Sequence, residues 1–227
     1  MDAYSILVAR SPVGFVALVT VVSALASCGG AQSVAPSSVA ATAADDLRTP
    51  ESFASIGDRT ARSQALFLEA SRVLSSPRCS NCHPSDDSPR QHDTRALHDP
   101  PVTRGVDDRG VPAMRCASCH QDQNLELARV PGGPDWHLAP KSMAWIGKSP
   151  AAICAQVKDA SRNGGRTLAN IVEHAAHDPI VAWGWSPGHG RTPAPGTQAR
   201  FGALVAAWVD TGAACPTDEA HEPQVSP

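Results

Sequence analysis

Four stretches of the chain carry apolar residues at helical spacing, and no stretch alternates with the period of a strand. In Thr60 to Leu74, the residues Leu66, Ala70, Val73 and Leu74 fall at i, i+4, i+7 and i+8, and Ser75-Ser76-Pro77 stops the helix that this face predicts. Ser149 and Pro150 supply an N-cap and a first-turn proline to a second helix, in which Ile153 and Val157 share a face before Asn163-Gly164-Gly165 closes it. Leu168, Ile171, Val172 and Ala175 repeat the spacing in a third. Thr197 caps a fourth, with Phe201, Leu204, Val205 and Trp208 on its apolar side and Gly212 beyond its end. Between residues 76 and 150, Pro, Gly, Asp, Arg and His recur with no period, so that half must be ordered by something other than regular secondary structure. The expected fold class is mainly α with extensive loops.

The N-terminal pattern is of a different kind. Arg10 is followed by an apolar run from Val13 to Ala26 and then by Leu25-Ala26-Ser27-Cys28. The run has 14 residues, fewer than the roughly 20 that a bilayer-spanning helix needs, and it fits an export signal instead. Small residues before a cysteine resemble the bacterial lipobox, which makes Cys28 the expected lipidation site and residues 1–27 the signal peptide. Gly29 in place of an aspartate tilts the expected location toward the outer membrane, on its periplasmic side. Residues 28–49 are Ala, Ser, Pro and Gly with almost no bulk and read as a flexible tether. The folded domain is expected from Pro50 to Pro216, with a disordered tail over 217–227.

Composition changes the picture in one respect. The chain of 227 residues is 42% hydrophobic yet only 4% aromatic, with 20 Pro and 17 Gly, so bulky core material is scarce. A covalently held apolar macrocycle can supply what the side chains do not. The net charge of −3, with its positive residues scattered, excludes nucleic acid as an expected partner.

Two motifs say which macrocycle. Cys79-Ser80-Asn81-Cys82-His83 and Cys116-Ala117-Ser118-Cys119-His120 each place two thiols to add across the vinyl groups of one haem edge, with the adjacent histidine beneath the iron. Each is preceded by arginine, Arg78 and Arg115, and the two lie 37 residues apart. The expected cofactors are two covalently bound haem c groups. The rival is a four-cysteine zinc site, but 33 residues separate the pairs, longer than the common ribbon spacing, and exported chains rarely hold free zinc thiolates. A thioredoxin-type dithiol needs a strand before the motif, and none is expected.

The sixth ligand of each iron is open. His98 lies 15 residues after His83 and His137 lies 17 after His120, which a tandem of two haem-binding units would produce. Both sit among turn residues that hold a backbone rigidly, and both are candidate distal ligands. Met143 is the sulfur alternative and would raise the potential of its haem. His174 and His177, at i and i+3, read as surface or core-edge residues. Of seven cysteines, the four in the motifs and Cys28 leave Cys154 and Cys215, which are expected to form a disulfide in an oxidising compartment.

The sequence resembles the multihaem cytochrome c superfamily. The stretches Pro131-Gly-Gly-Pro-Asp-Trp-His-Leu-Ala-Pro-Lys-Ser-Met-Ala-Trp145 and Trp183-Gly-Trp-Ser-Pro-Gly188, with Arg191, are similar to a bacterial group labelled as an isoquinoline 1-oxidoreductase subunit. The resemblance runs from about Ser63 to Pro216. It implies a small domain organised around two haems that exchanges electrons with redox partner proteins, including a dehydrogenase-type partner, and by itself it does not make this chain the catalytic subunit. The other reading, a dihaem peroxidase-like enzyme with one open iron, belongs to larger two-domain chains.

Overall fold

The computed structural model describes residues 46–218. The expected signal segment, Cys28, most of the tether and the last residues of the expected tail lie outside the described residues. The protein is mainly helical with little strand. Helix α1 spans Arg59–Leu74, α2 Pro77–Ser80, α3 Pro150–Lys158, α4 Leu168–His177, α5 Pro179–Ala182 and α6 Gln198–Asp210. Two hairpins of two-residue strands, β1 (Arg90–Gln91) with β2 (Ala96–Leu97) and β3 (Gly110–Val111) with β4 (Met114–Arg115), occupy the loop half. They depart from the expectation of no strand, because a strand of two residues is too short to show a period.

The helix ends follow from local chemistry. Asp58 accepts from the Ala61 amide to start α1, Ser149 accepts from Ala152 at the start of α3, and Thr197 accepts from Arg200 at the start of α6. Thr167 and Asn170 form a reciprocal capping box on α4. Helix α6 packs against α1 on one side and α4 on the other, while α3 lies on α1. At the α4–α6 crossing a Cβ on Gly202 would fall 2.6 Å from the Ala176 Cβ, so the small residue is what lets the two backbones approach. Trp208, fully buried, packs its ring 5.0 Å from Phe67 and ties α6 to α1. Ser63 Oγ donates to the Trp208 carbonyl at 3.1 Å, and the Trp208 indole donates to the Ala214 carbonyl at 3.0 Å. Cys154 and Cys215 are joined in a disulfide with Cα atoms 5.6 Å apart, which binds α3 to the segment after α6.

The folded region begins earlier than Pro50. Leu47 is 2% exposed in the core, its carbonyl accepts from Arg200 at 2.8 Å, and Gly196 opposite it leaves room for the side chain. Leu47 docks because its side chain has apolar area to bury. At the other end, Asp218 accepts from Ser149 Oγ at 2.6 Å, so the first residues of the expected tail are held on the N-terminus of α3.

Candidate cofactor site

The first motif is wound into one turn of helix. Pro77 starts α2 two residues after Ser75 caps α1, and the turn continues beyond Ser80 through Cys82 N to Cys79 O (3.1 Å) and His83 N to Ser80 O (3.1 Å). The segment 139–145 is laid along its end: Ala139 N donates to Cys82 O at 3.0 Å and Trp145 N donates to His83 O at 2.9 Å. The His83 ring is held twice more, by Nδ1 at 2.7 Å from the Met143 carbonyl and by the Trp145 indole stacked on its face at 3.4 Å and 7°. A carbonyl can only accept, so Nδ1 carries the proton and Nε2 is left as the bare nitrogen.

The second motif repeats this arrangement with different loops. Cys116–Ser118 form a 3-10 turn, His120 N donates to Cys116 O at 2.9 Å, and His120 Nδ1 lies 2.7 Å from the Pro131 carbonyl. Trp136 stacks on the His120 ring at 4.8 Å and 9°, and in turn meets Trp183 edge-on at 4.9 Å. Gly132 follows the accepting carbonyl, and a Cβ there would collide with the carbonyls of Gln121 and Gln123. That close approach, with Gly132 N donating to Asn124 Oδ1 at 3.0 Å, fixes the loop against the chain just past His120.

Burial sets the protonation of these groups. Desolvation pushes the Cys79 thiol up to about 12 and the Cys82 thiol up to about 11, so both are neutral at pH 7. Desolvation likewise pushes His83 down to about 3 and lowers His120, so both imidazoles are uncharged. Neutral imidazole with a committed Nδ1 is the form a metal-ligating histidine takes.

A cleft opens beside Cys79, Cys82 and His83, and a second opens beside Cys116, Cys119 and His120. Arg78, Cys82, Trp136, His137 and Trp183 line both, so one wall divides them. Arg78, whose side chain is 1% exposed, binds Asp93 at 2.5 Å and stands 5.7 Å from the Trp183 ring, but its Nε has no partner. The Trp145 Nε1 is a second buried donor with no acceptor. Both residues line the first cleft. A neutral imidazole with a bare Nε2 next to two thiols is the donor set that one haem would require of each motif.

The remaining candidates are distributed as follows. His98 is not beside His83 but against His120, with ring centroids 5.9 Å apart and planes at 67°, and its own Nδ1 lies 2.8 Å from the Pro100 carbonyl. His137 lines both clefts, with Nδ1 against the Asp135 carbonyl. Met143 is 6% exposed and lines the first cleft. His174, expected at a surface or core edge, also lines the first cleft, with Nδ1 2.8 Å from Asp178 Oδ2 and its pKa lowered chiefly by desolvation. The sequence signal for His174 was its i, i+4 carboxylate, which orients a histidine as a ligating one is oriented. Among the described residues no three His, Cys, Asp or Glu side chains converge on one point, so the two cysteine pairs do not build a shared four-sulfur site. No family model, no curated protein and no solved structure matches the chain.

Proposed function

We propose that this chain is an exported dihaem c-type cytochrome, carrying one haem on Cys79, Cys82 and His83 and one on Cys116, Cys119 and His120, that relays single electrons between redox proteins. A single parallel carries the reading: each motif histidine spends Nδ1 on a loop carbonyl and lies flat on a tryptophan, beside a cleft and next to its own cysteine pair. Two unrelated loops would not both be built this way for imidazoles that bind nothing. When bound, haem iron supplies a reversible one-electron couple.

The chain's own residues support relay over turnover. The dividing wall of Trp136, Trp183 and Cys82 keeps the two sites adjacent, and burial holds the histidines neutral. The Met143 carbonyl is committed to His83 Nδ1 while Met143 also lines the first cleft, so it stays beside His137 as a candidate ligand there. The lipid at Cys28 would keep the domain at a membrane surface in the periplasm, within reach of an oxidoreductase it serves as electron-transfer subunit. Among the described residues no helix is long and apolar enough to cross a membrane.

A haemochrome assay on the purified chain, with its intact mass, tests the proposal. Two haems per chain and a ferric spectrum without a large high-spin component are expected. A count of zero or one overturns the assignment, and a dominant high-spin signal replaces relay with an open-site, peroxidase-like enzyme.

A further inference from the structure

We propose that His98 is the sixth ligand of the haem held by the second motif, not the first, so that the loop following one haem-binding unit completes the iron site of the other. This rests on the dihaem reading above and adds to it a ligand and a pairing.

The observation is the His98–His120 pair. Their ring centroids are 5.9 Å apart with planes inclined at 67°. A metal held between two imidazole nitrogens at about 2 Å each separates the ring centroids by about 6 Å. Both rings also have their Nδ1 engaged by a backbone carbonyl, Pro100 at 2.8 Å for His98 and Pro131 at 2.7 Å for His120, which leaves Nε2 free on each. Both histidines line the second cleft together with Cys116 and Cys119. His98 does not line the first.

The loop is anchored for the task. His98 N donates to the Pro89 carbonyl at 3.1 Å, alongside the β1–β2 ladder, and Arg104 beyond it is 6% exposed, donating to the carbonyls of Asp86 and Ala139 at 3.2 and 2.8 Å. A ligand must be held at a fixed distance from its metal, and both ends of this loop are fixed. Tandem spacing along the chain pairs His98 with His83, whereas the fold carries it across.

The test separates the two irons. In a Cys79→Ser, Cys82→Ser chain only the second haem is attached covalently, and mass spectrometry counts it. In that background His98→Ala is expected to convert the low-spin ferric EPR and visible spectrum to high spin almost completely, and added imidazole to restore it. In the reciprocal Cys116→Ser, Cys119→Ser chain, His98→Ala is expected to leave the spectrum of the first haem unchanged. An unaltered low-spin spectrum in the first background, or conversion in the second, overturns the proposal. Should His98→Ala not accumulate, His98→Met supplies a ligand in its place, and a far-red sulfur-to-iron charge-transfer band is the expected signature; a spectrum identical to that of the parent overturns the assignment. Absence of haem from the parent chains sinks the dihaem reading itself, and the mass reports that separately.

Discussion

The imidazole of His83 lies flat on the indole of Trp145, with 3.4 Å between ring centroids and 7° between planes. The same two residues are joined through the backbone, Trp145 N to His83 O at 2.9 Å. One residue thus fixes both the position and the rotation of the other. Trp145→Ala is expected to cost about 3–5 kcal/mol in urea unfolding, since Trp145 is 8% exposed, and Trp145→Phe less than about 1.5 kcal/mol. An equal loss in both variants would show that the stacked face is not what matters.

Asp93 holds Arg78 at 2.5 Å while accepting from Thr192 through both N and Oγ1. Burial opposes ionisation of Asp93, but the Thr192 bonds and the Arg78 charge outweigh it and its pKa is lowered. A carboxylate whose pKa is lower in the folded than in the unfolded state stabilises the fold above its unfolded value, and that contribution disappears as pH falls through the folded one. Asp93→Asn should therefore cost about 1–3 kcal/mol at pH 7, toward the low end because Asp93 is 41% exposed. The difference from the parent is expected to close below about pH 3.8, which paired urea titrations across pH will show.

The Cys154–Cys215 bond closes a loop of 61 residues. Replacing both cysteines by serine is expected to lower stability by about 2–4 kcal/mol while leaving the haem count unchanged. A lower haem count would mean that the helical half must be complete before the motifs can be loaded.

Gly132→Ala tests the loop that supplies the Pro131 carbonyl to His120. The added Cβ meets the carbonyls of Gln121 and Gln123, both backbone, so the loop itself must shift. The expected cost is about 1–3 kcal/mol, accompanied by a changed spectrum for the second haem alone. Stability and spectrum both unchanged would show that the contact relaxes without moving His120.

The four long helices were legible because each has an apolar face. Ser149-Pro150 and Thr197 start α3 and α6 where their chemistry said they would, while the Asp58 cap of α1 and the Thr167–Asn170 capping box of α4 went unread. The disulfide was legible by elimination among the cysteines. The loop half was not, since its order comes from single contacts such as Arg104 to the Ala139 carbonyl that leave no period. Likewise the 15-residue spacing that seats His98 next to His83 along the chain says nothing of the hairpin that turns it toward His120. The role of Gly202 was also hidden, because it exists only where α4 meets α6.

On the proposed dihaem reading, six of the seven cysteines face incompatible demands in an oxidising compartment, since Cys154 and Cys215 are joined while the four of the motifs would have to stay reduced until haem is attached. Burial separates them in part. Cys154 is 0% exposed inside the helical core and its partner Cys215 only partly open, while Cys119 is exposed on the loop half. A reductant that reaches Cys119 on the folded chain would thus still meet one fully buried sulfur in the bond that holds the scaffold together.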